Sequence, residues 1–268
     1  MAETNIHPTA IVEDGAILAD GISIGPFSVV GREVTLGEGV VLHSHAVVAG
    51  RTTIGARTEI FPFASIGHKP QDLKYKGEAS TLTIGTDCMI REGVTINPGT
   101  EGGGMTTTVG NGCAFLANSH VGHDCHVGNN VIFSNNVMLA GHVEVGDFAI
   151  LGGGAAVIQF ARVGDHAFLG GMSGLEQDLI PYGMALGNRA YLSGLNIIGL
   201  KRRGFSASQI HDLRRAYRLL FAAEGTLLER VDDVAEEFRD HPTVMEIIAF
   251  IRAGGKRSMC TPKNAADA

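Results

Sequence analysis

An aliphatic residue occupies every sixth position over the first sixty-odd residues: Ile6, Val12, Leu18, Ile24, Val30, Leu36, Leu42, Val48, Ile54, Ile60 and Ile66. The spacing returns at Ile84, Ile90 and Ile96. It then runs from Val109 through Phe115, Val121, Val127, Phe133, Leu139, Val145, Leu151, Val157, Val163 and Leu169 to Leu175. If about three residues in ten are large and apolar, eleven consecutive hits have odds on the order of one in a million. A period of six is neither that of a helix nor that of a plain strand. It is the mark of a hexapeptide solenoid.

Each hexad supplies a short strand and a turn, and three hexads close a triangular coil. The ruler residue and the small residue four positions later, as at Ala46, Ala64, Ala149 and Ala167, point into the prism. Cys88, Cys113 and Cys125 occupy that small-residue slot, so their thiols read as buried packing, not as a disulfide framework or a zinc knuckle. Glycine often follows the ruler residue, as at Gly25, Gly37, Gly55, Gly122 and Gly146, where it is expected to supply turn conformations that side chains resist. Roughly nine or ten coils at about 4.8 Å each make a rod on the order of 45 Å long.

The bulk properties agree. Among 268 residues there are 37 glycines and no tryptophan, as suits a turn-rich repeat. The formal charge of −7 argues against nucleic-acid binding. No apolar run is long enough to span a bilayer, and Met1 to Asn5 lacks the basic and apolar regions of a secretory signal. A cytoplasmic protein is the expectation.

Two stretches break the ruler. Residues 67–83 include His68-Lys69-Pro70-Gln71-Asp72-Leu73-Lys74, and residues 97–108 include Asn97-Pro98-Gly99-Thr100-Glu101-Gly102-Gly103-Gly104. Both read as loops leaving the coil, where a rigid scaffold commonly carries function. Past Leu175, residues 177–188 read as a connector, so residues 1–188 form the solenoid and residues 189–268 a helical domain. Ile210, Leu213, Tyr217, Leu220 and Phe221 share a helix face after a Ser206–Gln209 capping box. Leu227, Leu228, Val231, Val234, Ala235 and Phe238 mark a second helix opened by Gly225-Thr226, and Pro242 starts a third with Val244, Ile247, Ile248 and Ile251 inward. The tail from Gly254 is expected to fray.

The densest reactive cluster is Asn118-Ser119-His120-Val121-Gly122-His123-Asp124-Cys125-His126. The ruler puts Val121 and Cys125 inside, so His120, His123, Asp124 and His126 are expected to face solvent or a partner. A step of eighteen residues stacks Asp124 under His142, and His123 under Gly141 and then Gln159. Such a strip suits general-base catalysis: a neutral imidazole takes a hydroxyl proton, a carboxylate fixes its tautomer, and a glycine N–H approaches an oxyanion. The rival reading is a zinc trimer like the γ-class carbonic anhydrases, held by His120, His123 and His126. Those histidines belong to strands pointing to different faces, so one chain does not bring them to one ion, and no metal is expected. Lys201-Arg202-Arg203 with Arg214, Arg215 and Arg218 forms a cationic patch suited to phosphate.

Several stretches resemble the acyl-ACP–UDP-N-acetylglucosamine O-acyltransferases: Ile6-His7-Pro8-Thr9-Ala10, Gln71-Asp72-Leu73-Lys74-Tyr75, His120-Val121-Gly122-His123-Asp124-Cys125, Leu139-Ala140-Gly141-His142-Val143 and Asn196-Ile197-Ile198-Gly199-Leu200-Lys201-Arg202-Arg203-Gly204-Phe205. The resemblance spans nearly the whole chain in order. It implies a left-handed parallel β-helix followed by a small α-helical domain, assembled as a homotrimer with sites between subunits and needing no cofactor. It implies transfer of a 3-hydroxyacyl group from acyl carrier protein to the 3-position of UDP-N-acetylglucosamine, the first step of lipid A synthesis, without an acyl-enzyme. By the same resemblance His123 is the base, Asp124 orients it and Gly141 N–H serves the oxyanion. Gln71, Asp72 and Lys74 hold acyl chain and sugar, His120, His142 and Gln159 line the sugar site, and Asn196, Arg202 and Arg203 hold the nucleotide. The cationic helices dock the acidic carrier.

Four residues depart from the family pattern: Ile158 stands where histidine is usual, Ile198 where glutamate is usual, and Asn97-Pro98 where a His-Arg pair is usual. Some relatives acylate an amino sugar, so the acceptor atom stays open between hydroxyl and amine. The related N-acyltransferases carry a separate domain before their hexads, whereas here the ruler starts at Ile6.

Gly171 matches the family's acyl-chain ruler, where a larger side chain shortens the pocket. A 3-hydroxyacyl carrier with about fourteen carbons is expected to be turned over in preference to one with about ten, since each buried methylene contributes about 0.8 kcal/mol. Paired turnover measurements check this, and a clear ten-carbon preference refutes it.

Overall fold

The computed structural model describes residues 3–222 and 224–263. The chain folds as a left-handed parallel β-helix followed by four helices. Most strands are only two residues long, and each pairs in parallel with the strand one coil below and one coil above. They stack into three sheets, which form the faces of a triangular prism. The first face carries Ile24, Leu42, Ile60, Ile90, Phe115, Phe133 and Leu151. The second carries Val30, Val48, Ile66, Ile96, Val121, Leu139 and Val157. The third carries Leu36, Ile54, Ile84, Val109, Val127, Val145 and Val163. Register holds across both interruptions: Ile54 pairs with Ile84, and Ile84 with Val109.

The ruler residues fill the prism and are buried from Ile24 onward. Phe115 and Phe133 meet edge to face at 5.0 Å inside the bore. In the first coil the same slot is open to water, and Ile6 is 42% exposed, because no coil lies beneath it. The small-residue slot is buried as read, and Cys88, Cys113 and Cys125 lie in it with free, buried thiols.

The glycines after the ruler have a different cause from the one expected. Gly25, Gly37, Gly55 and Gly122 are not in the left-handed region. Each instead lies where the next coil's backbone passes too close for a side chain: a Cβ on Gly55 would sit 2.4 Å from the Gly85 carbonyl carbon. Left-handed backbone falls two positions later, on His45 (φ 61°), Asn118 (φ 60°), Asp124 (φ 58°), His142 (φ 62°) and Phe160 (φ 65°). Bulky residues avoid that region when free, and here the repeat imposes it at most corners.

Past Leu175 the connector contains a strand. Gly183–Leu186 pairs in parallel with Phe168–Leu169, and Tyr191–Leu195 returns antiparallel to it, so residue 188 lies in the turn between them. The hexad gave no sign of this rung because Leu169 pairs with Ala185, off the eighteen-residue step and with a small residue in the ruler slot. Helices α1 (Ile197–Arg202), α2 (Ala207–Leu220), α3 (Leu227–Glu237) and α4 (Pro242–Ala253) follow. Capping boxes open α2 at Ser206–Gln209 and α3 at Thr226–Glu229. Leu228, one of the residues marking this helix, is 69% exposed, because the buried stripe of α3 runs through Val231 and Val234 and on to Phe238. The tail does not fray through residue 261: Cys260 is buried, its N–H donates to Asp178 O (2.8 Å), and Leu192 N–H donates to Thr261 O (3.0 Å). Residues 264–268 of that tail lie outside the described residues.

Gly55→Ala is expected to destabilise the fold by about 1–3 kcal/mol through overpacking between coils. Gly102→Ala, where a Cβ meets nothing within 4 Å, is expected to be close to neutral. Urea unfolding midpoints of the two variants check the contrast, and equal midpoints would contradict it.

Candidate active site

Corners of the prism collect residues from successive coils into columns. The edge between the second and third faces holds an unusual column. Both excursions leave from it, the first between Ser65–Ile66 and Thr81–Ile84, the second between Thr95–Ile96 and Thr106–Val109. Residues 81–83 and 106–108, read as loop, are therefore strand. Directly above come His123 and Asp124, then Gly141 and His142, then Gln159 and Phe160.

Asp124 does not face solvent, as the ruler alone suggested; it is buried. The second excursion folds back over it. Thr100 N–H donates to Asp124 Oδ1 (2.8 Å) and Thr100 Oγ1 to Oδ2 (2.6 Å). Asp124 N–H in turn donates to Thr107 Oγ1 (2.8 Å). Gly103 comes so near that a Cβ would lie 2.0 Å from the Asp124 carboxyl carbon, which explains glycine in this loop. A buried carboxylate is costly unless its lone pairs are filled, and these donors fill them.

His123 Nδ1 lies 2.8 Å from Asp124 Oδ2. An ionised carboxylate only accepts, so Nδ1 carries the proton, and in the neutral imidazole Nε2 then presents a lone pair. A Cβ at Gly141 would lie 2.6 Å from that Nε2, so only glycine leaves the imidazole its place. The Gly141 N–H has no acceptor among the described residues. A proton acceptor and a free backbone donor thus stand side by side. His142 meets the His123 ring edge to face at 4.9 Å and stacks on Phe160 at 4.4 Å. Its Nδ1 is 3.9 Å from Asp124 Oδ2. Burial lowers the His142 pKa, with Asp124 opposing that shift.

Of the other expected residues, His120 sits on the second face with Nδ1 2.7 Å from Thr95 Oγ1. His126 sits on the third face, paired with Thr108 Oγ1 at 2.9 Å. His120, His123 and His126 therefore do not converge as a zinc site. The set among the described residues whose donor atoms lie within 4.8 Å of one another is His123, Asp124 and His142, where the Asp124 oxygens already accept from Thr100 and His123. Asp72 caps its own turn by accepting from Lys74 N–H (2.9 Å), and its charge reaches His142. Gln71 and Lys74 are exposed beside it, and Gln159 is exposed above. The two excursions are tied together at their bases, since Asn97 Nδ2 donates to His68 O (3.1 Å).

Asn196, Arg202 and Arg203 are not on this edge. With Ile198 they line a cleft of about 630 Å³ against the first face, floored by Ile150, Phe168 and Met184. Asn196 caps α1 by accepting from Gly199 N–H (3.1 Å) and donates to His166 O (2.9 Å), leaving one amide hydrogen and one lone pair free. Arg203 donates to Phe148 O (2.9 Å). Gly171 stands on the edge between the first and second faces. In the basic patch Arg215 pairs with Glu237, while Arg214 and Arg218 flank a hollow beside Gly194. Sequence reasoning missed Thr100 and Phe160. Phe160 was accessible to it, lying eighteen residues past His142; Thr100 was not, because a loop has no register.

A family model for UDP-N-acetylglucosamine O-acyltransferase, domain 2, matches residues 178–260, and a six-repeat model of bacterial transferase hexapeptides matches residues 106–141. An acyl-[acyl-carrier-protein]–UDP-N-acetylglucosamine O-acyltransferase of Methylobacterium radiotolerans is 73% identical over 98% of this chain and 97% of its own. Its Brucella ovis counterpart is 50% identical over 98% and 94%. The structure of LpxA from Acinetobacter baumannii superimposes with a TM-score of 0.92 at 40% identity, covering 95% of this chain and 99% of that one.

Burial holds the pKa values of His120, His142 and His166 below the usual 6.5. As pH falls through about 6.5 the unfolded chain takes up protons first, and the folded form follows at lower pH, so stability present above that value is lost on acidification. The urea midpoint is expected to drop between about pH 7.5 and 5, and to drop less in His166→Asn. An identical pH slope in both proteins would contradict the assignment.

Proposed function

Because the chain belongs to the UDP-N-acetylglucosamine O-acyltransferase family and is an acyltransferase of lipid A biosynthesis, we propose that His123 is its general base, Asp124 the group orienting that base, and Gly141 N–H the oxyanion donor. The observation that carries this is the His123–Asp124 contact at 2.8 Å, set beside the unused N–H of Gly141. The Nε2 lone pair of His123 takes the proton of the sugar 3-hydroxyl as its oxygen attacks the thioester carbonyl of the 3-hydroxyacyl carrier. The carbonyl oxygen gains negative charge and accepts from Gly141 N–H. When the carbon–sulfur bond breaks, the imidazolium returns the proton to the leaving thiolate, so no acyl-enzyme forms and no cofactor or metal is required.

Around that centre we assign Gln71, Asp72 and Lys74 to acyl chain and sugar, His120, His142 and Gln159 to the sugar, and Asn196, Arg202 and Arg203 to the uridine diphosphate. Gly171 limits the acyl chain, and the Arg214–Arg218 surface meets the acidic carrier protein. The dispersion of these residues supports a homotrimer. His123 stands on the second–third edge, the cleft of Arg202 lies on the first face, and Gly171 stands on the first–second edge. One prism cannot close all three around one substrate, whereas the second face of one copy set against the first face of the next does. The first–second edge also carries an exposed ladder, Phe27, His45 and Phe63, with ring centroids 5.1 and 5.2 Å apart, suited to the centre of such an assembly. We place the protein in the cytoplasm; no helix among the described residues is long and apolar enough to cross a membrane.

His123→Ala is expected to lower acyl transfer to UDP-N-acetylglucosamine by about 10²–10⁴-fold or more, as for loss of a general base. The mass in solution should stay that of three chains. Product mass spectrometry with a panel of 3-hydroxyacyl carriers checks activity and chain length together. Wild-type turnover in the variant would remove His123 from the role.

A further inference from the structure

The C-terminal tail reaches the same edge as His123, and its placement there is built. Gly254 turns the chain (φ 63°). Gly255 then passes so near the buried ion pair of Arg162 and Asp178 that a Cβ would lie 2.5 Å from Asp178 Oδ2 and 2.8 Å from Arg162 Nε. Beyond it, Arg257 Nε donates to Gln159 O (3.0 Å) and Asp178 N–H donates to Ser258 O (2.8 Å). Between these anchors Lys256 Nζ stands 4.0 Å from the centroid of Phe160, the ring on which His142 stacks.

Lys256 lines a groove whose other bank is Gly102 and Gly103 and whose wall includes Asp124 and His142. The other cation there, Arg162, is committed to Asp178 (Nε to Oδ2, 2.7 Å). The carboxylates are also accounted for: Asp124 is filled by Thr100 and His123, and Glu144 forms no ion pair with Lys256. Among the described residues the Lys256 ammonium has no anionic partner, yet it is close enough for its charge to oppose protonation of His142. A compact ammonium with three donors, held by its contact with Phe160, suits one phosphate oxygen cluster.

We propose that Lys256 is a substrate-binding residue whose ammonium holds a phosphate group at the mouth of this groove, beside the reacting edge. The proposal rests on the acyl-transfer reading, in which both substrates bring phosphate: the diphosphate of the sugar nucleotide and the phosphodiester of the carrier protein's prosthetic arm.

The test uses the full chain with Lys256→Met, which keeps the stem over Phe160 and removes the charge, and Lys256→Arg, which restores it. Each substrate is varied in turn in a steady-state transfer assay. The KM for one of them is expected to rise about tenfold or more in Lys256→Met, the effect of losing one charge-assisted hydrogen bond, and largely to recover in Lys256→Arg. A rise for UDP-N-acetylglucosamine assigns the sugar diphosphate; a rise for the acyl carrier assigns the prosthetic arm. Both KM values within about twofold of the unsubstituted protein overturn the proposal. If Lys256→Met does not turn over, calorimetric Kd values for the two substrates replace KM, and unchanged values for both overturn it equally. Lack of transfer by the unsubstituted protein would count against the acyl-transfer reading itself. In that event inorganic pyrophosphate is the probe, and equal Kd for the unsubstituted protein and Lys256→Met refutes the phosphate site separately.

Discussion

Every coil of this protein must be congruent with the one beneath it, because its two-residue strands have no other hydrogen-bonding partners. Ile11 N–H donates to Ser28 O at 2.9 Å and His142 N–H to His123 O at 2.9 Å, and the same pattern continues up the prism. A single rung of this kind is too short to persist alone; stacking makes the sheets. Congruence sets the rest of the local structure. It keeps the ruler residue inside, removes the side chain where coils approach closest, as at Gly55, and bends the corner residue into left-handed backbone, as at His45 and Asp124.

Congruence also organises chemistry. Residues far apart in ordinary folds become neighbours at intervals of one coil, so His123, Gly141 and His142 meet without any loop having to be ordered for the purpose. What the columns cannot supply is the solvation of a buried carboxylate. Asp124 is buried where the second excursion brings Thr100 to it, and its Oδ2 meets His123 Nδ1 at 2.8 Å. The excursion is therefore part of the geometry around Asp124, and Gly103 in it answers to close contact with that carboxylate.

Both excursions and the tail act at one edge. They share nothing in sequence, yet each leaves or rejoins the prism where the second face turns into the third. The opposite, first face carries the Arg202–Arg203 cleft, and the first–second edge carries the exposed Phe27–His45–Phe63 ladder. This division of labour between surfaces suits the threefold assembly proposed above, each interface using two different patches.

The hexad alone determined which ruler side chains lie inside, which strand or corner His120, His123, His126 and His142 occupy and that Asp124 lies under His142, because a repeat with one hydrogen-bonding solution is nearly one-dimensional. Capping boxes at Ser206 and Thr226 were equally legible, since a cap is a local contact between residues three apart. The expected cause of the glycines after the ruler was wrong at Gly25, Gly37, Gly55 and Gly122, because the turn's left-handed residue and the close inter-coil approach are different positions that only coordinates separate. The burial of Asp124, the extra rung at Gly183–Leu186, the exposure of Leu228 and the docking of the tail through Gly255 and Cys260 were decided by tertiary structure. Each depends on one segment meeting another at no fixed sequence interval, and a period carries no record of such a meeting.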